Sequence, residues 1–379
     1  HWPIDLIEDE NRRGFGAVMP LLEAQFVGLS DLLRRKVEPG FRELISAGVE
    51  LAICFARLHS QNRCFRALSF DSVRLDPSTG EIRLASAEYI DQEGRRGPVP
   101  GAPRFMAPEL VRAQAAPSGL TDRHSLAVLL FYMLMLSHPL EGQREYAMQT
   151  MDMAELRSLY GVSPVFIFDP SDRSNRPVPE YHQNAEAFWP LYPESLRDHF
   201  SRTFVRGLRE PSARVDARTW ALVLASVRDQ ICYCETCAAE NFRDPEQPNL
   251  QVVCWNCGEQ VQLPPWLEIG TQSVLLNHNT RLYPHHLDPA RPLDFGEPLA
   301  EVAHEEGQWM LRNLSGATWI ITSIDGQRFE VSTQWSAYLQ SQTRIDFSTT
   351  AGVIAAPPIK SDWSSPRPAD TASPRNDVW

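Results

Sequence analysis

The chain lacks any long apolar run: its longest, Leu126 to Leu136, has 11 residues, about half of the ~20 a helix needs to cross a bilayer. No membrane span is expected, and that run reads as a buried helix. Positive charge is short as well, with 36 Lys and Arg against 48 Asp and Glu, a formal net charge of -12. Such a molecule is repelled by phosphate backbones and anionic membranes, so nucleic acid is not an expected partner. Cysteine is absent from most of the chain: of seven, five fall between Cys232 and Cys257. That is no framework for a secreted disulfide-bonded domain, and the expected compartment is the cytoplasm. No charged-then-apolar leader opens the sequence, and its first residue is His1 rather than Met, so an upstream segment is expected. No internal repeat is visible. What is present is ordinary folded-protein composition, 43% hydrophobic and 22% charged over 379 residues, which at about 150 residues per domain suggests two or three domains.

The apolar stretches Pro3 to Asp9 and Gly14 to Leu22, separated by the charged turn Glu10 to Arg13, read as a hairpin. From Phe41 to Ser60 the residues Leu44, Ile45, Val49, Ala52, Phe55, Ala56 and Leu58 recur at helical spacing. A second hairpin is expected from Ser72 to Leu75 and Glu81 to Ala85, around the turn residues Asp76 to Gly80. Loops are expected from Asp91 to Pro108, then an apolar helix centred on Val128, a Pro- and Asp-rich loop from Val162 to Pro179, and helices near 193–208 and 217–230. Beyond the cysteines the pattern turns to short alternating runs, Trp309 to Leu314, Trp319 to Ser323, Arg328 to Val331 and Ala337 to Gln340, which predict an all-β region. From Pro357 the tail has little to bury and is predicted to be disordered, with Trp363 and Trp379 available to dock on a partner.

Cys234-Glu-Thr-Cys237 and Cys254-Trp-Asn-Cys257 are two Cys-x2-Cys knuckles with 16 residues between them. This spacing lets two turns close four thiolates tetrahedrally around zinc. Because all four ligands are protein atoms, no position is open for water, and the zinc is structural rather than catalytic. Cys232 is a surplus thiol, since Cys232-x-Cys234 is too tight for the usual turn. Cys54 and Cys64 read as small buried hydrophobes. From Cys234 to Gln262 there is one Arg and no Lys against five acidic residues, which argues against nucleic-acid binding by the ribbon.

The segments Leu58 to Ser60, Phe65 to Leu68, Ser72, Ile82 to Ser86, Arg104 to Glu109, Asp122 and His138-Pro139 follow one another in an order and spacing that resembles a protein kinase C-lobe. The resemblance covers about residues 1–230. With Phe166 to Pro170, Ser174 to Pro177 and Gly207 to Pro211 it is most similar to the bacterial kinase family encoded in tellurite-resistance-type triads with a von Willebrand A protein and a metal-dependent phosphatase. The resemblance implies a catalytic Asp where this chain has Ala67, a metal-binding Asn where it has Ser72, and a metal-binding Asp where it has Ser86, with Glu88 two positions further on. Phosphoryl transfer needs those carboxylates and oxygen ligands, so catalysis is not expected. No Gly-rich phosphate loop and no strand Lys paired with a helix Glu can be assigned, which leaves ATP binding open, and Gly14-Phe-Gly16 reads as a turn. The resemblance further implies an ion pair between Glu109 and Arg214, a backbone-holding role for Asp122, and Arg66 in its place beside the lost Asp. Asp122 is equally well read as a favourable residue at a helix N-terminus.

The segments Leu282 to Leu287, Trp309 to Ser315, Trp319, Ile324 to Gly326 and Ile345 to Phe347 resemble a forkhead-associated β-sandwich. Such domains read phosphothreonine with a loop Arg, a Ser and a His, a constellation that cannot be assigned here. Asn313 and Ser315 are the first candidates, with a turn pair bonding its own backbone as the plainer reading. His285 and His286, taken as strand neighbours, would face opposite ways, which argues against joint metal binding.

The expected fold is thus α+β and multidomain: a mainly helical, protein-kinase-like C-lobe with a partial N-lobe (1–230), a four-cysteine zinc ribbon (231–264), a C-terminal β-sandwich (265–356) and the tail (357–379). The expected function is that of an inactive kinase-like scaffold or allosteric regulator in a bacterial phosphosignalling or stress-response complex. Its implied partners are a von Willebrand A domain protein and a metal-dependent protein phosphatase. The rivals are a divergent active Ser/Thr kinase and a phosphothreonine-reading adaptor.

Overall fold

The computed structural model describes residues 4–8, 14–85, 87–97, 101–247, 250–288, 290–291, 293–305 and 308–356. Ser86 and the tail 357–379 lie outside the described residues. The protein is α+β with a β-rich C-terminal region, and it divides into two compact units, residues 1–225 and 226–379. Among the described residues no helix is long and apolar enough to cross a membrane.

The first unit is organised by two helices. Phe41–Ser60 carries Glu43 in its first turn and Arg57 and His59 in its last, which suits the helix dipole, and it buries Leu44, Ile45, Val49, Ala52 and Phe55 along one face. Gly119–Met135 starts at Ser118, which forms a capping box with Thr121, and stops where Leu136 takes a left-handed backbone, φ 47. Every residue from His124 to Met135 is buried, so this helix runs through the core rather than along its edge. Gly48 permits the close approach: a Cβ there would lie 3.1 Å from side-chain carbons of both Leu130 and Leu224. An aromatic cluster of Phe131, Phe166, Phe200 and Phe204 fills the far side of the second helix.

Short antiparallel pairs frame these helices. Val73–Leu75 lies between Val27–Gly28 and Ile82–Leu84, and Asp5–Glu8 pairs with Phe15–Val18. The stretch expected to be loop from Asp91 begins inside a strand, Ile90–Gln92, paired with Arg63–Phe65. Three residues are too few to show an alternation in sequence. The helix expected near 193–208 is α-helical over Glu194–Ser201 and continues as a wide π-type turn, Arg202–Arg206.

In the second unit two antiparallel sheets share one core. The six-stranded sheet runs Gln272–Leu275, Trp266–Ile269, Ala351–Ala355, Arg344–Asp346, Trp319–Thr322, Arg328–Val331, and the four-stranded sheet runs Arg281–Leu282, Ala300–Glu305, Gln308–Asn313, Ser336–Tyr338. Leu267, Trp319, Ile345 and Ile354 from the first sheet meet Ala300, Val302 and Leu311 from the second, as alternating strand faces require. His285 and His286 do not occupy a strand. Pro284 opens a single helical turn, Pro284–Leu287, because its fixed φ suits a first helical position, and Tyr283 N donates to His286 Nδ1 at 2.8 Å. Both rings are buried, with centroids 4.1 Å apart, instead of facing opposite ways.

Candidate functional site

The four cysteines come together. Each knuckle is closed in the same way: Cys234 N donates to Ala239 O (2.9 Å) and Ala238 N to Cys234 O (2.8 Å), while Cys254 N donates to Glu259 O (2.8 Å) and Gly258 N to Cys254 O (2.9 Å). The fifth residue of each turn has a left-handed backbone, Ala238 at φ 60 and Gly258 at φ 77. The four sulfurs lie within 4.8 Å of one another, with Cys234 Sγ to Cys257 Sγ and Cys237 Sγ to Cys254 Sγ both 3.6 Å. A tetrahedron with zinc–sulfur bonds of ~2.3 Å has edges of about 3.8 Å, so this set of soft donors fits zinc. Cys232 is not part of the set. It sits buried on Ile231–Tyr233, where desolvation pushes its thiol up to about 12.

The ribbon is seated on the sheet beside it. Cys232, Cys234, Cys254 and Val261 pack with Leu275 and Trp266. Arg243 stacks over the Trp266 ring at 4.3 Å and donates to Gln230 Oε1 (3.1 Å) and Ser273 Oγ (3.0 Å). Asn277 Nδ2 donates to Ile231 O at 2.7 Å. The sequence reading missed these polar residues, and it also missed Asn241, whose amide reaches both knuckles. Gln230, Asn241, Ser273 and Asn277 are uncharged and follow no spacing rule, so they leave no signal in one sequence.

In the first unit, Arg214 donates to both carboxylate oxygens of Glu109, at 2.7 and 2.8 Å, and also to Gly207 O and Leu120 O. Asp122 Oδ2 accepts from Phe65 N (2.8 Å) and lies 3.1 Å from His59 Nε2. Burial pushes its carboxyl up to about 6, against the opposing pull of those two bonds. Arg66 donates to Glu88 O (3.3 Å) and lies 3.8 Å from Asp91 Oδ2. Ala67 is 8% exposed. Ser72 is fully buried in a local capping box, its Oγ accepting from Ser69 N at 3.0 Å and lying 3.2 Å from Ser69 Oγ. Glu88 is exposed on the short turn Ala87–Tyr89. A small cavity lined by Phe65, Arg66, Met106, Thr121, Asp122 and Ser125 adjoins these residues, and Asp122 is the one carboxylate in its lining. Among the described residues, the four cysteines are the one cluster of three or more His, Cys, Asp or Glu donors close enough to hold a metal ion.

In the sandwich, Asn313 and Ser315 bond to each other and to their own turn. Ser315 N and Oγ donate to Asn313 Oδ1 (2.9 and 2.7 Å), Asn313 Nδ2 donates to Ala317 O and Val331 O, and Trp319 Nε1 donates to Ser315 Oγ. His286 Nε2 lies 3.2 Å from Asp229 Oδ2, and His285 is held well down, at about 4, by burial and by His286.

No family model matches the chain. A stretch of 104 residues, 26% of the chain, is 35% identical to ribosomal protein S6 kinase alpha-4 of Mus musculus and 34% identical to that of Homo sapiens. A stretch of 98 residues, 25% of the chain, is 37% identical to ribosomal protein S6 kinase 2 beta of Xenopus laevis. These stretches span only 13% to 15% of the relatives' own lengths. About a quarter of the chain is therefore similar in sequence to a short part of these protein kinases.

Proposed function

We propose that this chain is a pseudokinase: a kinase-like platform over residues 1–230, without catalysis of its own, that acts as a scaffold or allosteric regulator in a bacterial phosphosignalling or stress-response complex. The observation that carries this reading is the chemistry at the positions where phosphoryl transfer would need charge. Transfer requires a carboxylate to orient the acceptor hydroxyl and oxygen ligands for magnesium. Ala67 has no heteroatom in its side chain, Ser72 is enclosed and bonded to Ser69, and Ser86 has a neutral hydroxyl. The supporting frame is intact beside them, with Asp122 on Phe65 N and Glu109 on Arg214. The partial similarity to S6 kinases supports the kinase-like part of the reading.

The four thiolates serve as a structural zinc site, and the sandwich is read as forkhead-associated-like. The internal bonding of Asn313 and Ser315 favours a folded binding platform over a phosphothreonine reader that would use these two residues. The resemblance points to a von Willebrand A protein and a metal-dependent phosphatase as candidate partners, in the cytoplasm. Incubation of the chain with labelled ATP and magnesium or manganese is expected to give no phosphoryl transfer. Robust labelling that Glu88→Gln abolishes would overturn the proposal.

A further inference from the structure

We propose that Asn241 is a positioning residue of the metal site, joining the two knuckles and supplying a neutral hydrogen-bond donor to the Cys254 thiolate; this rests on the zinc reading above. Asn241 is 4% exposed and lies in strand Glu240–Phe242, opposite Cys232. Its Nδ2 donates to Ala239 O at 2.8 Å, and Ala239 is the residue that closes the first knuckle onto Cys234 N. The same nitrogen lies 3.7 Å from Cys254 Sγ, and Oδ1 accepts from Trp255 N at 3.2 Å. One side chain therefore touches the end of one knuckle and the first two residues of the other. The Trp255 indole reinforces the join by donating to Glu240 O at 2.7 Å.

The chemistry selects an amide at this position. Four thiolates around a divalent cation leave an excess of two negative charges, and the ribbon adds Glu235, Glu240 and Glu259 in or beside the knuckles. A donor to sulfur spreads that excess and lowers the tendency of the thiolate to take a proton and leave the metal. Arg243, the one cation in the segment, is turned away onto Trp266, Gln230 and Ser273. Asn241 is thus, among the described residues, an uncharged side chain in reach of Cys254 Sγ that supplies a donor. An Asp of the same shape would keep an acceptor for Trp255 N but set a carboxylate beside the thiolate, a like-charge contact.

The test uses the full chain as purified, with zinc content measured first and Asn241→Asp and Asn241→Ala prepared alongside. Transfer of zinc to a chromogenic chelator is expected to be about ten- to a hundredfold faster in Asn241→Asp than in the parent, and also faster in Asn241→Ala. After cobalt substitution, the sulfur-to-metal charge-transfer band is expected to shift in both variants, a change that loosened packing alone would not produce. A parent chain that holds one zinc, with both variants releasing it at the parental rate and with an unchanged cobalt spectrum, would sink the proposal. A parent without zinc would instead sink the reading beneath it. If Asn241→Asp fails to fold, the rate and spectrum of Asn241→Ala decide.

Discussion

Arg214 sits inside the first unit with its side chain removed from solvent, and its guanidinium is matched by the Glu109 carboxylate and two backbone carbonyls. The pair's worth lies less in its attraction than in the harm of dividing it. Truncating Glu109 leaves the buried guanidinium with its charge uncompensated, and such a break typically costs about 3 to 5 kcal/mol. Glu109→Ala is therefore expected to lower the thermal midpoint of the first unit by many degrees, read by calorimetry or circular dichroism. A melting temperature equal to the parent's would rule out this account of the pair. The two residues were legible in sequence because each sits in a recognisable phrase. Their neighbours Gly207 and Leu120 contribute only backbone oxygens, which no side-chain pattern advertises. The same contrast separates the cysteines, whose spacing announces them, from Asn241, whose amide looks like any surface residue until the strand it occupies is paired.

At the scale of the element, the two knuckles differ in one position that their shared geometry makes informative. Gly258 takes the left-handed backbone at no steric cost, while Ala238 takes it with a Cβ, a conformation that costs a residue with a side chain roughly 1 to 2 kcal/mol. Ala238→Gly is expected to stabilise the metal-bound ribbon by up to about 1 kcal/mol, part of the gain being lost to a more flexible unfolded chain. Gly258→Ala is expected to weaken the ribbon by a similar amount. Competition with a zinc chelator would show this as tighter retention in the first variant and weaker retention in the second, and opposite signs would contradict the strain argument. Long periodic elements are the easiest to read: the helix Phe41–Ser60 shows its buried face in its spacing. Short elements are not. The turn Pro284–Leu287 reads as a strand in sequence because two histidines among apolar residues have no period, and only the proline marks the start of a helix.

At the scale of the molecule, the sheet order is hidden from the sequence for a physical reason: strand partners are chosen by long-range closure. Trp266–Ile269 pairs with the distant Ala351–Ala355, so the sandwich closes only when its first and last strands meet. The ribbon is built onto the same edge. Leu275 and Trp266 belong at once to the sheet and to the packing around Cys232, Cys234 and Cys254, and Leu275 N donates to Asp229 O just ahead of the ribbon. On the zinc reading proposed above, this shared packing couples metal binding to the folding of that edge. Structural zinc contributes an apparent binding free energy of about 10 to 16 kcal/mol at neutral pH, far more than a short ribbon core can supply. Removing the metal with a strong chelator is expected to expose not only the knuckles but also Trp266–Ile269 and Gln272–Leu275. Hydrogen exchange resolved along the chain would show protection falling at those strands together with residues 231–242, and returning when zinc is restored. Exchange that rises only between Cys234 and Cys257, with the two strands as protected as before, would mean that the ribbon is an appendage and that the sheet edge folds without it.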